Sequence, residues 1–191
     1  MFEASFNTVE KALIGAFGVR PRDVGAFRGR LIAAQKAGLL GPKNQPGKGR
    51  ALTYAPDLFH RMILTCELTE LGIAPSVILE LVARLWDRKL RSIFKLAETA
   101  AMQPPGDHDV VLYIGGVALM TGSWSSKLPG VNRCTLEDLP AHVADWMKMR
   151  EDDPAPANLP PRVILTNLSH RLRCFHAALA QPSGKEAAQR R

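Results

Sequence analysis

Leu39-Leu40-Gly41-Pro42-Lys43-Asn44-Gln45-Pro46-Gly47-Lys48-Gly49-Arg50-Ala51-Leu52-Thr53-Tyr54-Ala55-Pro56-Asp57-Leu58 is the stretch on which the fold turns. Its turn chemistry predicts a short strand leaving a helix, a cationic glycine- and proline-rich turn, a second strand, and a helix that starts at Asp57. Lys43, Lys48 and Arg50 stand in it with no acidic residue before Asp57. Cations without local counter-charges resist burial, so this loop is expected to project into solvent towards something anionic.

Upstream, Val9, Leu13, Ile14 and Phe17 recur at helical spacing, with Asn7 or Thr8 as the expected cap and Gly18 as the stop. After Gly18-Val19-Arg20-Pro21 a second helix is expected from Pro21 to Gly38, its buried stripe made of Val24, Phe27, Leu31, Ile32 and Ala34. Arg20, Arg22, Arg28 and Arg30 fall largely away from that stripe. Downstream, Asp57 is expected to cap a third helix carrying Leu58, Phe59, Met62, Ile63, Cys66 and Leu71, halted by Gly72. Pro75 and Ser76 open a long fourth helix reaching Ala97. Its apolar positions exceed what a small N-terminal domain covers, which predicts burial against a second copy or the following domain.

Charge has a clear address. The chain carries a net charge of +7, and residues 20–61 hold nine Lys and Arg (Arg20, Arg22, Arg28, Arg30, Lys36, Lys43, Lys48, Arg50, Arg61) against Asp23 and Asp57. One segment therefore accounts for the whole excess, a distribution expected of a nucleic-acid footprint rather than of a generally solvated surface. No apolar run approaches the roughly 18–20 residues that span a bilayer, and no membrane partner is expected. Cys66, Cys134 and Cys174 are odd in number and widely spaced, which fits a reducing cytoplasm rather than a disulfide framework.

Gln103-Pro104-Pro105-Gly106-Asp107 breaks the composition and predicts a boundary, giving domains over 1–102 and 107–181 and a frayed tail over 182–191. Beyond it, strands are expected over Asp109–Ile114 and Val117–Thr121, joined by a hairpin turn at Gly115-Gly116. Thr135-Leu136-Glu137-Asp138 is expected to cap a helix running to about Arg150, with Leu139, Val143, Trp146 and Met147 on one side. A buried strand over Arg162–Asn167 and a last helix over Ser169–Leu179 complete the pattern. The expected fold class is mainly α with short β elements: a helix-turn-helix with a wing, a long helix, then a small mixed α/β C-terminal domain.

Gly38-Leu39-Leu40-Gly41-Pro42, the Gly47-Lys48-Gly49-Arg50 wing, Tyr54, Asp57-Leu58, and the run from Glu67 through Leu71-Gly72-Ile73-Ala74-Pro75 to Leu81 resemble the winged-helix DNA-binding domain of the MerR family of transcription regulators. The resemblance covers about residues 8–97. It implies a homodimer on an inverted repeat of double-stranded DNA, with the second helix in the major groove and the wing on the flanking backbone. Arg20, Arg22, Arg28 and Arg30 would then serve the helix contact, and Lys43, Lys48, Arg50 and Tyr54 the wing, with Arg61 adding charge nearby. The chain departs from the family in a longer second helix without tryptophan or tyrosine, and in Arg50 and Tyr54 standing four apart rather than two.

Other chemistry finds little footing. His170, Cys174 and His176 lie close in sequence, but His176 is rotated away from Cys174 and no fourth ligand is nearby, so no metal is expected. Gly115-Gly116 lacks a following P-loop lysine, and Ser123, Ser125 and Ser126 lack a nucleophile elbow. Neither an enzyme nor a cofactor is expected. The C-terminal domain is expected to assemble copies or contact a protein partner, with a ligand pocket beside Trp124 and Trp146 as the lesser option. The expected function is a dimeric, sequence-specific regulator, cytoplasmic and nucleoid-associated. The alternative is an architectural or phage-type packaging adaptor that binds duplex without reading it.

Overall fold

Ser5 starts the first helix: its backbone is extended and its Oγ accepts the Thr8 backbone N–H at 3.3 Å. The cap thus falls two residues before Asn7, which with Thr8 lies inside the first turn. This geometry comes from a computed structural model that describes residues 4–39, 53, 54, 56–115, 131–151 and 163–181 of the chain. Helix α1 spans Phe6–Ala16, a 3₁₀ turn covers Pro21–Asp23, and α2 spans Val24–Lys36. Gly18 at φ +58° and Gly38 at φ +82° end the two helices. In both, an amide beyond the glycine reaches back to a helix carbonyl, Val19 to Ile14 at 3.0 Å and Leu39 to Ala34 at 3.1 Å. Only a residue without Cβ takes that left-handed bend cheaply.

Phe27, Leu31 and Ala34 form the buried stripe of α2, whereas Ile32 is 37% exposed. Five positions beyond Phe27 a helix has turned about 140°, so Ile32 leaves the stripe in which the sequence pattern places it. Strand β1 (Ala4–Ser5) pairs antiparallel with β2 (Thr53–Tyr54), Ala4 opposite Tyr54 and Ser5 opposite Thr53. The sequence predicts the second of these strands and not the first.

Helix α3 spans Pro56–Glu70, one residue ahead of the expected start, and buries Phe59, Met62, Ile63, Leu64, Cys66 and Leu68. Leu71 lies past its end and is exposed, outside the stripe expected for it. The long helix is two: α4 (Pro75–Leu85) and α5 (Arg91–Ala101), joined by a π turn over Trp86–Leu90. Ile78, Val82, Trp86, Leu90 and Phe94 are all buried and follow one another at every fourth residue. Such a series drifts about 40° per step around an α-helix, and the widened π turn takes up the drift so that one side stays buried.

Strands β3 (Val110–Gly115), β4 (Val131–Thr135) and β5 (Val163–Asn167) form an antiparallel sheet in the order β4-β3-β5. Central β3 is buried along its whole length, so both faces are covered. Val111, Tyr113 and Cys134 pack with Leu139 and Val163 on one face, and α5 also packs against β3. The partner expected for β3, Val117–Thr121, lies outside the described residues; β4, which no sequence pattern announces, pairs with it from Val110 opposite Thr135 to Ile114 opposite Val131. Thr135 closes that strand and also accepts the Asp138 backbone N–H at 3.1 Å, just ahead of α6 (Leu139–Glu151). Helix α7 spans Leu168–Ala180, where its buried Ser169 hydroxyl accepts from the Val110 N–H and donates to the Ala97 carbonyl.

The fold is therefore mainly helical with short β elements. It divides into two compact units, residues 1–75 with 171–191, and residues 76–170. The composition break at 103–107 suggests a different division. Among the described residues no helix is long and apolar enough to cross a membrane.

Candidate nucleic-acid interface

Glu10 is the only acidic residue of α1 and, among the described residues, one of the few charged side chains to be buried, at 2% exposure. Val9, Ala12 and Leu13 around it are core residues. Its carboxylate is held from α2: Arg28 Nε donates to Oε1 at 2.5 Å and Nη2 to Oε2 at 3.0 Å. Removing Arg28 would leave the buried Glu10 carboxylate without its partner, so the pair ties the half-exposed Arg28 of α2 to α1. The hydrogen bond to Glu10, with its charge adding, pushes the Arg28 guanidinium above its already high range.

The other cations of this helix pair are differently engaged. Arg20 Nε bonds Asp23 Oδ2 at 2.9 Å, and Arg22 stands 3.8 Å from the same oxygen. Arg30 lies over the Phe27 ring, 5.7 Å from its centroid, and has no carboxylate partner among the described residues. Arg61, one turn into α3, is largely covered and 3.4 Å from Asp57. Tyr54 lies in β2, whose backbone pairing places the end of the basic segment beside the start of α1. Lys43, Lys48 and Arg50 lie outside the described residues.

With Phe27, Leu31 and Ala34 facing inward, helical geometry sets Gly25, Gly29, Ile32 and Lys36 on the outer side of α2. Arg28 and Arg30 stand on its two flanks, about 100° and 60° from the Phe27 direction. A Cβ at Gly25 or Gly29 would meet nothing within 4 Å among the described residues, so packing against those residues requires neither glycine. Sequence reasoning finds the arginines of this surface but misses Glu10. The available signal is an acid three residues before Leu13, inside an otherwise apolar stripe.

Burial pushes the Cys66 thiol far above its ordinary value, with the Glu70 and Glu67 carboxylates adding, so it stays protonated on the groove between α2 and α3. The apolar cleft under α6 is lined by Tyr113, Leu139, His142, Val143, Val163 and Leu165. Trp124, named with Trp146 for a ligand pocket, lies outside the described residues. Among the described residues no three His, Cys, Asp or Glu side chains gather as a metal site. No family model matches the chain, and no curated protein or solved structure matches it.

Proposed function

We propose that this chain is a sequence-specific DNA-binding transcription regulator, dimeric on an inverted repeat, with a winged helix-turn-helix formed by α1, α2 and the basic segment up to β2. One observation supports this reading most: α2 is fixed to α1 by the Glu10–Arg28 pair while its outer side and flanks carry exposed cations. A rigid helix presenting arginines suits a major groove, where a guanidinium fork can read a base edge. The excess of positive charge in residues 20–61 supplies the phosphate attraction that brings duplex to that surface.

Binding-site selection from random duplex DNA tests it. The expected result is a recurring motif with two-fold symmetry. Enrichment without a motif would instead indicate an adaptor that packages or coats DNA, and no retention of duplex at any salt concentration would remove nucleic acid from the reading.

A further inference from the structure

Glu10 grips Arg28 along one edge only. The pair uses Nε and Nη2, and a guanidinium carries five N–H donors. Both Nη1 protons and the outer Nη2 proton have no partner among the described residues, and the side chain is 54% exposed. The half-exposed side chain thus keeps its end-on donors outside the pair, while its other edge is held by a carboxylate that is itself buried on α1.

Resting on the DNA-binding reading above, we propose that Arg28 is the specificity-determining arginine of α2, donating through its Nη1–Nη2 edge to O6 and N7 of a guanine, and that Glu10 is its positioning residue. A phosphate asks for charge and tolerates a mobile side chain, whereas a base edge asks for a planar donor pair in a fixed orientation. Pairing with Glu10 offsets most of the Arg28 charge and leaves its directional donors intact. The contact therefore adds to discrimination and little to unspecific attraction. Arg20 and Arg22, both turned towards Asp23 on an exposed 3₁₀ turn, have no such rigid support.

The test uses the full chain and the duplex that it selects. Each guanine is methylated at N7 in turn, and binding is measured for the wild type and for Arg28→Lys, which keeps the charge and loses the fork. The expected outcome is a guanine whose methylation weakens the wild type roughly 5- to 150-fold and leaves Arg28→Lys unaffected. Glu10→Gln should lose preference for that same guanine while its affinity for unrelated duplex holds or rises, a split that a merely structural role would not produce. A selected motif whose methylation pattern is identical in wild type and Arg28→Lys overturns the assignment and leaves the regulator reading standing. Glu10→Gln that weakens all duplexes equally overturns the positioning role. Should Glu10→Gln fail to fold, the Arg28→Lys comparison decides alone. A wild type that enriches no motif overturns the regulator reading, and this inference with it.

Discussion

Arg171 donates to the Glu67 carboxylate across 104 residues of sequence, and its Nη1 donates to the Ala16 carbonyl at 2.5 Å. The same guanidinium covers the Phe17 ring at 4.2 Å. A single side chain of α7 thus joins the end of α1 to α3 within the first unit. Phe175 packs against Phe59 beside it, and Gly15 lies so close to α7 that an added Cβ would stand 2.9 Å from that of Ala178.

A fragment of residues 1–102 is consequently expected to be much less stable than the full chain, because it lacks Arg171, Phe175 and Ala178. Thermal unfolding followed by circular dichroism measures this. A fragment that melts cooperatively at the temperature of the full chain would contradict it.

Arg171→Ala should cost about 1–3 kcal/mol. It leaves the nearly buried Glu67 carboxylate without its arginine, and the partial exposure of the pair moderates the effect. Urea denaturation gives the value; a change within about 0.3 kcal/mol would show that the ion pair is idle.

Phe27→Ala is expected to destabilise by about 3–5 kcal/mol, since Phe27 is fully enclosed in the core of α2 and α3 beside Phe17. Ile32→Ala, on the outer side of the same helix, should change stability by less than about 1 kcal/mol. Reversal of that order would overturn the assignment of the buried stripe.

Cys66 sets a pH effect whose sign is fixed by its burial. Its folded-state pKa is raised, so above the ordinary thiol value of 9.0 the unfolded chain releases a proton that the folded chain keeps. Stability from this group is whole below that value and falls as pH rises beyond it, by about 1.4 kcal/mol per unit. Subtracting the profile of Cys66→Ala from that of the wild type between about pH 9.5 and 10.5 isolates the slope; parallel profiles would contradict it.

Lys48→Ala/Arg50→Ala should weaken binding on every duplex and make the salt dependence shallower, by roughly 0.9 in slope for each phosphate that the variant no longer neutralises. Fluorescence anisotropy across a salt series reads both quantities. An unaltered slope would take the wing out of the interface.

How far the sequence is legible follows from the range of each interaction. Gly18 and Gly38 are readable as helix stops because the left-handed bend is a local demand that nearly always calls for glycine. The α2 stripe is readable at Phe27, Leu31 and Ala34, where three positions share one face, and misjudged at Ile32, where an apolar side chain sits outside. Two-residue strands have no period, so β1 leaves no trace in the sequence and shows only through its pairing with β2. Thr135 reads as a helix cap from its neighbours, and the strand ending on it depends on β3, distant in sequence. The cations of the candidate surface show in the composition. The local partners Asp23 and Asp57 are close in sequence, whereas Glu10 lies 18 residues from Arg28 in the chain and leaves no such sign.

The most direct test of the central claim is the ratio of affinities for the selected site and for bulk duplex of unrelated sequence, measured by competition at near-physiological salt. A sequence-specific regulator predicts a ratio of at least about 10³. A ratio near one, with binding that falls steeply as salt rises, would contradict it and leave only unspecific attraction to phosphate.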